Sequence, residues 1–277
     1  DNIALCVIEI LPPFGRLNDN YLFNNTTMKK HLLILLACLA GTLQLSAQTQ
    51  MQWKNPMNEK FHVVRGQAWQ NELKGTYYRM PDRAQKTIRK AVWDLSRHSA
   101  GMSIAFRSDA PQIKIRYQVS GSFNMPHMPS TGVSGVDMYA TDIHGELLWC
   151  SARYAFRDTV TYTYNKLSYG QSASKGYEYE VYLPLYNDVK WLEVGVPAGH
   201  TLQFIPASQE KPIVLYGTSI AQGACASRPG MAFGNIIGRK TEHPVVNLGF
   251  SGNGQMEPEI FNLIAEIDAQ MYILDNM

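Results

Sequence analysis

The sequence has little net charge and few cysteines, and both absences limit the function classes open to it. Its 25 Lys and Arg residues nearly balance 23 Asp and Glu residues, which gives a formal net charge of +2 at pH 7. So small a charge does not supply the basic surface that nucleic-acid binding needs, and we expect no nucleic-acid partner. Four cysteines in 277 residues are too few for a fold built on disulfides. The sequence also contains no C-x-x-C or H-E-x-x-H motif, so we expect no metal site.

The sequence has no apolar run long enough to form a stable membrane span. Its longest run, at 32–45, includes a glycine and two polar residues, whereas a membrane-spanning helix needs about 20 apolar residues. The run follows Met28 and two lysines and ends shortly before Ala47. A basic start, a short apolar core and a small final residue are typical of a secretory signal peptide. We therefore predict a signal peptide over 28–47 and a secreted or periplasmic protein.

Two features of the N-terminal part leave alternatives open. Residues 1–27 do not begin with methionine, and we interpret them as upstream sequence translated in frame or as disordered, outside the native protein. The residues before Cys38 resemble a lipoprotein box, so a form lipidated at Cys38 is the alternative to cleavage after Ala47. Cys150 and Cys225 then remain as one pair, and the sequence does not show whether they form a disulfide.

Short alternating strands fill the middle of the chain. Residues 102–106 and 113–119 alternate apolar with other side chains on either side of a turn at 108–111, which predicts a β-hairpin with one buried face. Further short strands follow as far as 196, separated by Gly, Pro, Asn and Asp. Regular short strands with turn signals are typical of a sandwich or jelly roll. We therefore predict an all-β accessory domain, a jelly-roll-like β-sandwich, over 52–206.

The pattern changes after a polar connector that ends near residue 211. Apolar strands are predicted at 213–217, at 245–248 and at about 271–275, and helical segments lie between them. Buried strands that alternate with helices form a parallel sheet covered on both faces. The sequence therefore predicts a second domain, of α/β class, over 211–277.

The first strand of this second domain runs into a tight turn that carries Ser219. A serine at such a turn is held at the carboxyl edge of the sheet, where open α/β sheets bind ligands. Free backbone N–H groups at the start of the next helix favour a developing negative charge. These features predict Ser219 as a nucleophile. The alternative is a serine that only caps the helix.

Three segments of the sequence together resemble the SGNH, or GDSL, hydrolase family. Residues 217–220, GTSI, resemble its first block, and 246–254, VNLGFSGNG, resemble its second. Residues 135–139, GVDMY, resemble the GxDLY signature of a domain that precedes one branch of the family, with Met138 in place of leucine. Thr218 replaces the acidic residue of the GDSL name. The resemblance covers about 52–277 and implies a flavodoxin-like α/β/α hydrolase domain, ester hydrolysis through an acyl-enzyme, and no cofactor.

The resemblance also implies roles for particular residues. Ser219 would be the nucleophile, and its own N–H together with that of Gly252 would bind the oxyanion. Asn276 is the candidate for an asparagine that the third block of the family adds to the oxyanion hole, although the matching asparagine would otherwise lie past the chain end. The family takes its base from a D-x-x-H block, which this sequence lacks. We therefore interpret the chain as a C-terminally truncated hydrolase with little or no activity alone.

Further residues are candidates for substrate binding or for structural roles. Gln222 and Arg228 follow the nucleophile, and His127 lies on an irregular loop of the sandwich, so each is a candidate substrate contact, with a structural or solvated role as the alternative. Asp137 and Tyr139 of the signature are predicted to stabilise the sandwich.

The predicted function is deacylation, in particular deacetylation, of carbohydrate esters, with a small-molecule or glycan ester as the substrate. Two alternatives stay open. One is a carbohydrate-binding protein whose hydrolase half is vestigial. The other is a lipase or thioesterase of the same fold. The sequence leaves the acyl group, the sugar and the oligomeric state undetermined.

Overall fold

The structure is a computed structural model that describes residues 50–142, 144–167 and 177–275, all within one compact unit. The predicted signal peptide at 28–47, the segment 1–27 and the candidate Asn276 lie outside the described residues. Within the described ranges, no helix is both long enough and apolar enough to cross a membrane.

The described residues form fourteen strands and five α-helices. The strands are β1 (Met51–Lys54), β2 (Val64–Arg65), β3 (Ser103–Ser108), β4 (Gln112–Val119), β5 (Asp137–Thr141), β6 (Leu147–Cys150), β7 (Ala152–Ala155), β8 (Val160–Asn165), β9 (Tyr177–Tyr182), β10 (Val189–Pro197), β11 (Leu202–Phe204), β12 (Ile213–Gly217), β13 (Val245–Gly249) and β14 (Met271–Asp275). The helices are α1 (Lys90–Ser96), α2 (Ser130–Val133), α3 (Ser219–Gln222), α4 (Phe233–Thr241) and α5 (Pro258–Ile264). Short 3-10 turns occur at Pro56–Asn58, Asp82–Lys86 and Pro229–Met231.

Two antiparallel sheets form a β-sandwich from the first eleven strands. One sheet has the order β1-β10-β4-β8-β7, and the other has the order β11-β3-β9-β5-β6, with β2 also paired to β3. The two sheets share one core, because the alternating residues of β4 that are buried, Ile113, Ile115 and Tyr117, belong to the same cluster as Ile104 and Phe106 of β3. Alternation of buried and half-buried residues therefore identified the strands and their inner face.

The predicted hairpin of 102–106 with 113–119 is wrong, although both strands exist. β3 pairs with β9 and β11, while β4 pairs with β10 and β8, so the turn at 108–111 carries the chain from one sheet to the other. Alternation shows that one face of a strand is buried, but it does not show whether the neighbour in sequence is beside the strand or across the core.

A parallel three-stranded sheet follows the sandwich, with the order β13-β12-β14. One face packs against α4, which contributes Phe233 and Ile237 to a cluster with Leu215. The other face packs against α5 through Ile260 and Leu263. The central strand β12 is buried throughout, as expected for a parallel strand covered on both sides.

The segment 67–97 lies within the range predicted for the sandwich, but it packs on the parallel sheet. Its apolar side chains share a cluster with β12, β13 and α5. The members from this segment are Trp69, Leu73, Met80, Ala84, Ile88 and Val92. This part of the chain therefore covers the same face of the parallel sheet as α5, and the sheet is completed by residues that precede most of the sandwich.

The two cysteines of the described part are both free thiols. Cys150 is buried in β6, and Cys225 is exposed. The disulfide that the sequence left open is therefore absent from this structure.

Candidate active site

Ser219 and Gly252 leave the parallel sheet at the same edge. β12 and β13 run in parallel with Gly217 opposite Gly249, and the Phe250 N–H continues the pairing with a 2.9 Å bond to Gly217 O. Ser219 follows Gly217 by two residues, and Gly252 follows Gly249 by three. The nucleophile candidate and the oxyanion candidate therefore both lie at the carboxyl edge, the usual ligand site of open α/β sheets.

Two glycines are required here for different reasons. A Cβ at Gly249 would collide with the backbone of Ala221 and Gln222, so only glycine lets α3 pack directly on β13. Gly252 has open space around it, but its φ is +67°, a conformation that glycine adopts with little strain. The second block thus brings α3 close to its own strand and then turns the exposed Gly252 peptide outward.

The backbone donors of the site are unoccupied. Over the described residues, neither the N–H of Ser219 nor that of Gly252 has a hydrogen-bond acceptor. The Ser219 side chain is half-buried, and none of the histidines or carboxylates in those ranges hydrogen-bonds to its hydroxyl. The edge of the sheet therefore carries a hydroxyl and two backbone N–H groups without acceptors, and no described histidine or carboxylate is hydrogen-bonded to the hydroxyl.

Gln222 is buried and has a structural role, which the sequence left open as the alternative to a substrate contact. It is 0% exposed, and its Oε1 accepts a 2.9 Å bond from the Ser251 N–H while its Nε2 donates a 3.1 Å bond to Leu185 O. A side chain without exposed surface cannot contact a bound ester in this conformation. Its contacts instead tie α3 to the glycine loop.

Arg228 lies between the sandwich and the loop that follows the nucleophile. Its Nε is 3.1 Å from Asp137 Oδ2, and its guanidinium carbon is 4.5 Å from the centre of the Trp149 indole ring. Its side chain keeps about a third of its surface exposed, 29%. The ion pair gives Arg228 a structural role, and a substrate contact through the exposed part remains a prediction.

His127 is exposed at the tip of a tight turn. The turn is closed by two backbone hydrogen bonds between Met125 and Met128. Both methionines pack in a cluster that also contains Ala224 and Ala226. The sandwich therefore places the His127 turn beside the loop that follows the nucleophile, and its contact with substrate remains a prediction.

The signature residues Asp137 and Tyr139 hold the hydrolase half as well as the sandwich. The Asp137 carboxylate accepts a 2.7 Å bond from Trp149 Nε1 within the sandwich and a 3.0 Å bond from the Gly230 N–H. The guanidinium carbon of Arg239 in α4 lies 4.2 Å from the centre of the Tyr139 ring. The prediction that they stabilise the sandwich was therefore too narrow. Burial raises the pKa of Asp137, against the opposing effects of the Trp149 hydrogen bond and the Arg228 charge.

Arg79 was missed by the sequence reasoning and is central to the site. Its side chain is 1% exposed, and it donates bonds of 2.6 Å to Gly249 O, 2.6 Å to Leu95 O and 2.9 Å to His98 O. Burial lowers the pKa of Arg79 to about 9, so the group is still a cation at neutral pH. No local signal marks it, because an arginine in an irregular stretch is usually solvated.

Two protein-family models match the sequence of this chain. A family model described as GxDLY, the N-terminus of SGNH hydrolase-type esterases, matches residues 51–202, which is more than half of the chain. The chain belongs to the SGNH/GDSL hydrolase family. A second model, of the GDSL-like lipase/acylhydrolase family, matches residues 210–277 of this SGNH/GDSL chain. The resemblance drawn from the three sequence segments is thereby confirmed.

Solved structures resemble this SGNH/GDSL chain to different degrees. A protein of Bacteroides ovatus ATCC 8483 assigned as a GDSL-like lipase has 30% identity and a TM-score of 0.73, and the match covers 82% of this chain and 64% of that one. The salicylyl-acyltransferase SsfX3 of a tetracycline biosynthetic pathway has 21% identity and a TM-score of 0.59, over 82% of this chain and 61% of its own. This chain therefore spans less than two thirds of either structure.

Weaker matches do not extend the argument. A family two carbohydrate esterase from Cellvibrio japonicus has 12% identity and a TM-score of 0.38, over 73% of this chain and 53% of its own. These values are too low to support a conclusion about substrate. No curated protein matches the chain significantly.

Proposed function

We propose that this SGNH/GDSL hydrolase is a secreted serine esterase that removes acyl groups, in particular acetyl groups, from carbohydrate esters. The proposal is supported by the carboxyl edge of the parallel sheet, where β12 leads to the half-buried Ser219 and β13 leads to Gly252, and where both residues have backbone N–H groups without acceptors among the described residues. A nucleophile beside preorganised donors is the arrangement that acyl transfer requires.

The reaction follows from these groups. The Ser219 hydroxyl attacks the ester carbonyl carbon and gives its proton to a general base, and the two amides stabilise the negative oxygen of the tetrahedral intermediate. The intermediate collapses to an acyl-serine and releases the alcohol, which takes up the proton. Water then attacks the acyl-serine in the same way and releases the acid. We propose that the base comes from a D-x-x-H segment, which residues 1–277 lack, so that these residues alone have little activity.

The carbohydrate part of the proposal is supported by the sandwich surface near the candidate site. Trp149 is 51% exposed, and the Asp137 hydrogen bond to its indole N–H fixes the ring. One face of the ring meets Arg228, which follows the nucleophile by nine residues. A fixed, exposed aromatic beside a hydrolase loop suits a sugar ring that stacks on it. The predicted signal peptide fits an extracellular glycan substrate.

The test replaces Ser219 in the product of the complete gene. We expect Ser219→Ala to lower kcat on an acetylated oligosaccharide by at least about 10³-fold, because loss of the nucleophile leaves only binding and the oxyanion donors. The melting temperature should not change. Ser227→Ala is the matched control, since Ser227 is an exposed serine on the following loop, and it should keep full activity.

The outcomes separate the alternatives. Hydrolysis that survives Ser219→Ala would contradict the acyl-enzyme. A wild-type protein that binds glycans equally well with and without Ser219, and hydrolyses no ester, would favour a carbohydrate-binding protein with a vestigial hydrolase half. A preference for long acyl chains on model esters would favour a lipase or thioesterase over a deacetylase.

A further inference from the structure

The buried Gln222 connects the two parts of the oxyanion site. It lies three residues after Ser219, at the end of α3, and its carboxamide is enclosed by α3, by the glycine loop at 249–254 and by the sandwich loop at 183–187. One bond from this side chain reaches the glycine loop and another reaches the sandwich.

The orientation of the Gln222 amide is fixed by its partners. The Ser251 N–H can only donate and the Leu185 carbonyl can only accept, so Oε1 must face Ser251 and Nε2 must face Leu185. Nε2 also lies 3.2 Å from Nδ1 of His98. That nitrogen accepts only when His98 is neutral. Burial, together with the charge of Arg79, lowers the pKa of His98 to about 4, so the ring is neutral at pH 7. In the tautomer protonated at Nε2, the Nδ1 accepts the hydrogen bond from Gln222.

Ser251 is held from the opposite side by Asn253. The Nδ2 of Asn253 donates a 2.8 Å bond to Ser251 O, and Arg89 Nη1 donates a 2.8 Å bond to Asn253 Oδ1. The peptide between Ser251 and Gly252 is planar, and in a trans peptide the C=O and the N–H point in opposite directions. Fixing the Ser251 carbonyl therefore fixes the direction of the Gly252 N–H.

We propose that Gln222 and Asn253 are positioning residues that grip Ser251 from both sides and thereby aim the Gly252 N–H at the substrate oxygen. Gln222 does so from the helix that begins at the nucleophile, so one side chain sets the separation between Ser219 and the Gly252 amide. Neither residue touches the substrate. The inference rests on the proposed esterase function, and it assigns Gln222 a role different from the substrate contact that the sequence suggested.

The kinetic test uses Gln222→Met and Asn253→Asp in the product of the complete gene. Methionine has a similar volume but neither bonds the Ser251 N–H nor donates to Leu185 O. Aspartate keeps the partner of Arg89 but turns an acceptor toward Ser251 O. We expect kcat to fall about 10- to 100-fold in each variant, because a misplacement of about 1 Å costs on this order. KM should stay within about twofold, since substrate contacts are unchanged.

Gln255→Met is the matched control. Gln255 is exposed and directly follows the glycine loop, and its replacement should leave both kcat and KM at wild-type values. A loss of folding in Gln222→Met would leave Asn253→Asp to decide, since Asn253 is half-buried and its change conserves shape. Variants that keep wild-type kcat, or that raise KM alone, would overturn the inference.

Amide hydrogen exchange provides a readout that does not depend on activity. In the polypeptide of residues 1–277, Gln222→Met should accelerate exchange of the Ser251 amide at least about 10-fold, because the amide loses its acceptor, whereas Gln255→Met should not. An unchanged exchange rate of the Ser251 amide in Gln222→Met would contradict the proposal that Gln222 positions Ser251. A full-length wild type that hydrolyses no ester would instead overturn the proposed function, whereas an active wild type with a fully active Gln222→Met variant would overturn this inference alone.

Discussion

The two loops that border the candidate active site are anchored by different parts of the chain. The loop at 223–232, which follows the nucleophile, is held by the sandwich through Asp137 and through a 2.6 Å bond from Thr131 Oγ1 to Ser227 O. The glycine loop at 249–254 is held by the segment 67–97, through Arg79 and Arg89. Both anchors lie outside the range 211–277 that carries the family's catalytic blocks. The site is thus assembled from three parts of the sequence.

The anchors also differ in charge and in how that charge is balanced. Asp137 is a buried anion with a partly exposed cation, Arg228, at 3.1 Å. Arg79 is a buried cation whose hydrogen bonds, among the described residues, all go to backbone carbonyls and one side-chain amide. Removing a buried charged group leaves its desolvated partners unsatisfied. Arg79 has more such partners than Asp137. Loss of its anchor should therefore destabilise the glycine loop more than loss of Asp137 destabilises the loop at 223–232.

Arg79→Met should therefore give the largest loss of stability. The substitution removes the guanidinium donor from the carbonyls of Gly249, Leu95 and His98, and we expect the free energy of unfolding to fall by about 3–5 kcal/mol. Urea unfolding of the chain monitored by circular dichroism would measure the change. Arg83→Met is the control: Arg83 forms exposed ion pairs with Glu72 and Glu266, and its loss should cost about 1 kcal/mol or less. If Arg79→Met and Arg83→Met lower the free energy of unfolding equally, the buried Arg79 contributes no more to stability than an exposed arginine.

Asp137→Asn should have a smaller effect on the other loop. Asparagine has one acceptor oxygen, so it cannot accept from both Trp149 Nε1 and the Gly230 N–H, and it has no charge to pair with Arg228. We therefore expect a loss of about 1–3 kcal/mol at pH 7. The raised pKa of Asp137 adds a pH dependence. A carboxyl whose folded pKa lies above its unfolded value contributes most below that unfolded value and less as pH rises through the folded one. The difference in the free energy of unfolding between the wild type and Asp137→Asn should therefore increase as pH is lowered from 7 to 4.

Urea unfolding at these two pH values would measure the Asp137 effect. Asp158→Asn, at an exposed site of the sandwich, is the matched control and should change stability by no more than about 0.5 kcal/mol. If this difference in the free energy of unfolding decreases as pH is lowered, the partners of the Asp137 carboxylate stabilise it more than burial destabilises it. The sandwich anchor would then resemble an ordinary ion pair.

The sequence was sufficient for local features and for the nucleophile turn. The alternation at 113–119 predicted β4 because each second residue faces the core. The apolar run at 213–216, followed by Gly217 and soon by Ser219, predicted a strand and turn that the structure contains. Both are short-range patterns, set by the period of the backbone and by the conformations of single residues.

The sequence was not sufficient for contacts between distant segments. Arg79 and Gly249 are 170 positions apart, and no pattern near either residue shows that they meet. The same holds for Asp137 and Gly230, so the signature could be assigned only to its own domain. The hairpin prediction failed for this reason as well, since β3 and β4 are adjacent in sequence but contribute to opposite sheets.

His98 contacts both Arg79 and Gln222, and its titration gives the smallest of the predicted effects on stability. Its carbonyl accepts from Arg79, and its ring contacts Gln222. Because the pKa of His98 is about 4 in the folded chain and 6.5 ordinarily, the unfolded chain binds more protons between these values. The free energy of unfolding contributed by His98 is therefore complete above pH 6.5 and is lost as pH falls toward 4. Between pH 7 and pH 5.5 this loss should be on the order of 1 kcal/mol. In urea unfolding at the two pH values, His98→Gln should abolish this change in the free energy of unfolding, while Gln255→Met should keep the wild-type change. If His98→Gln keeps the wild-type change as well, His98 is solvated and does not link the two loops.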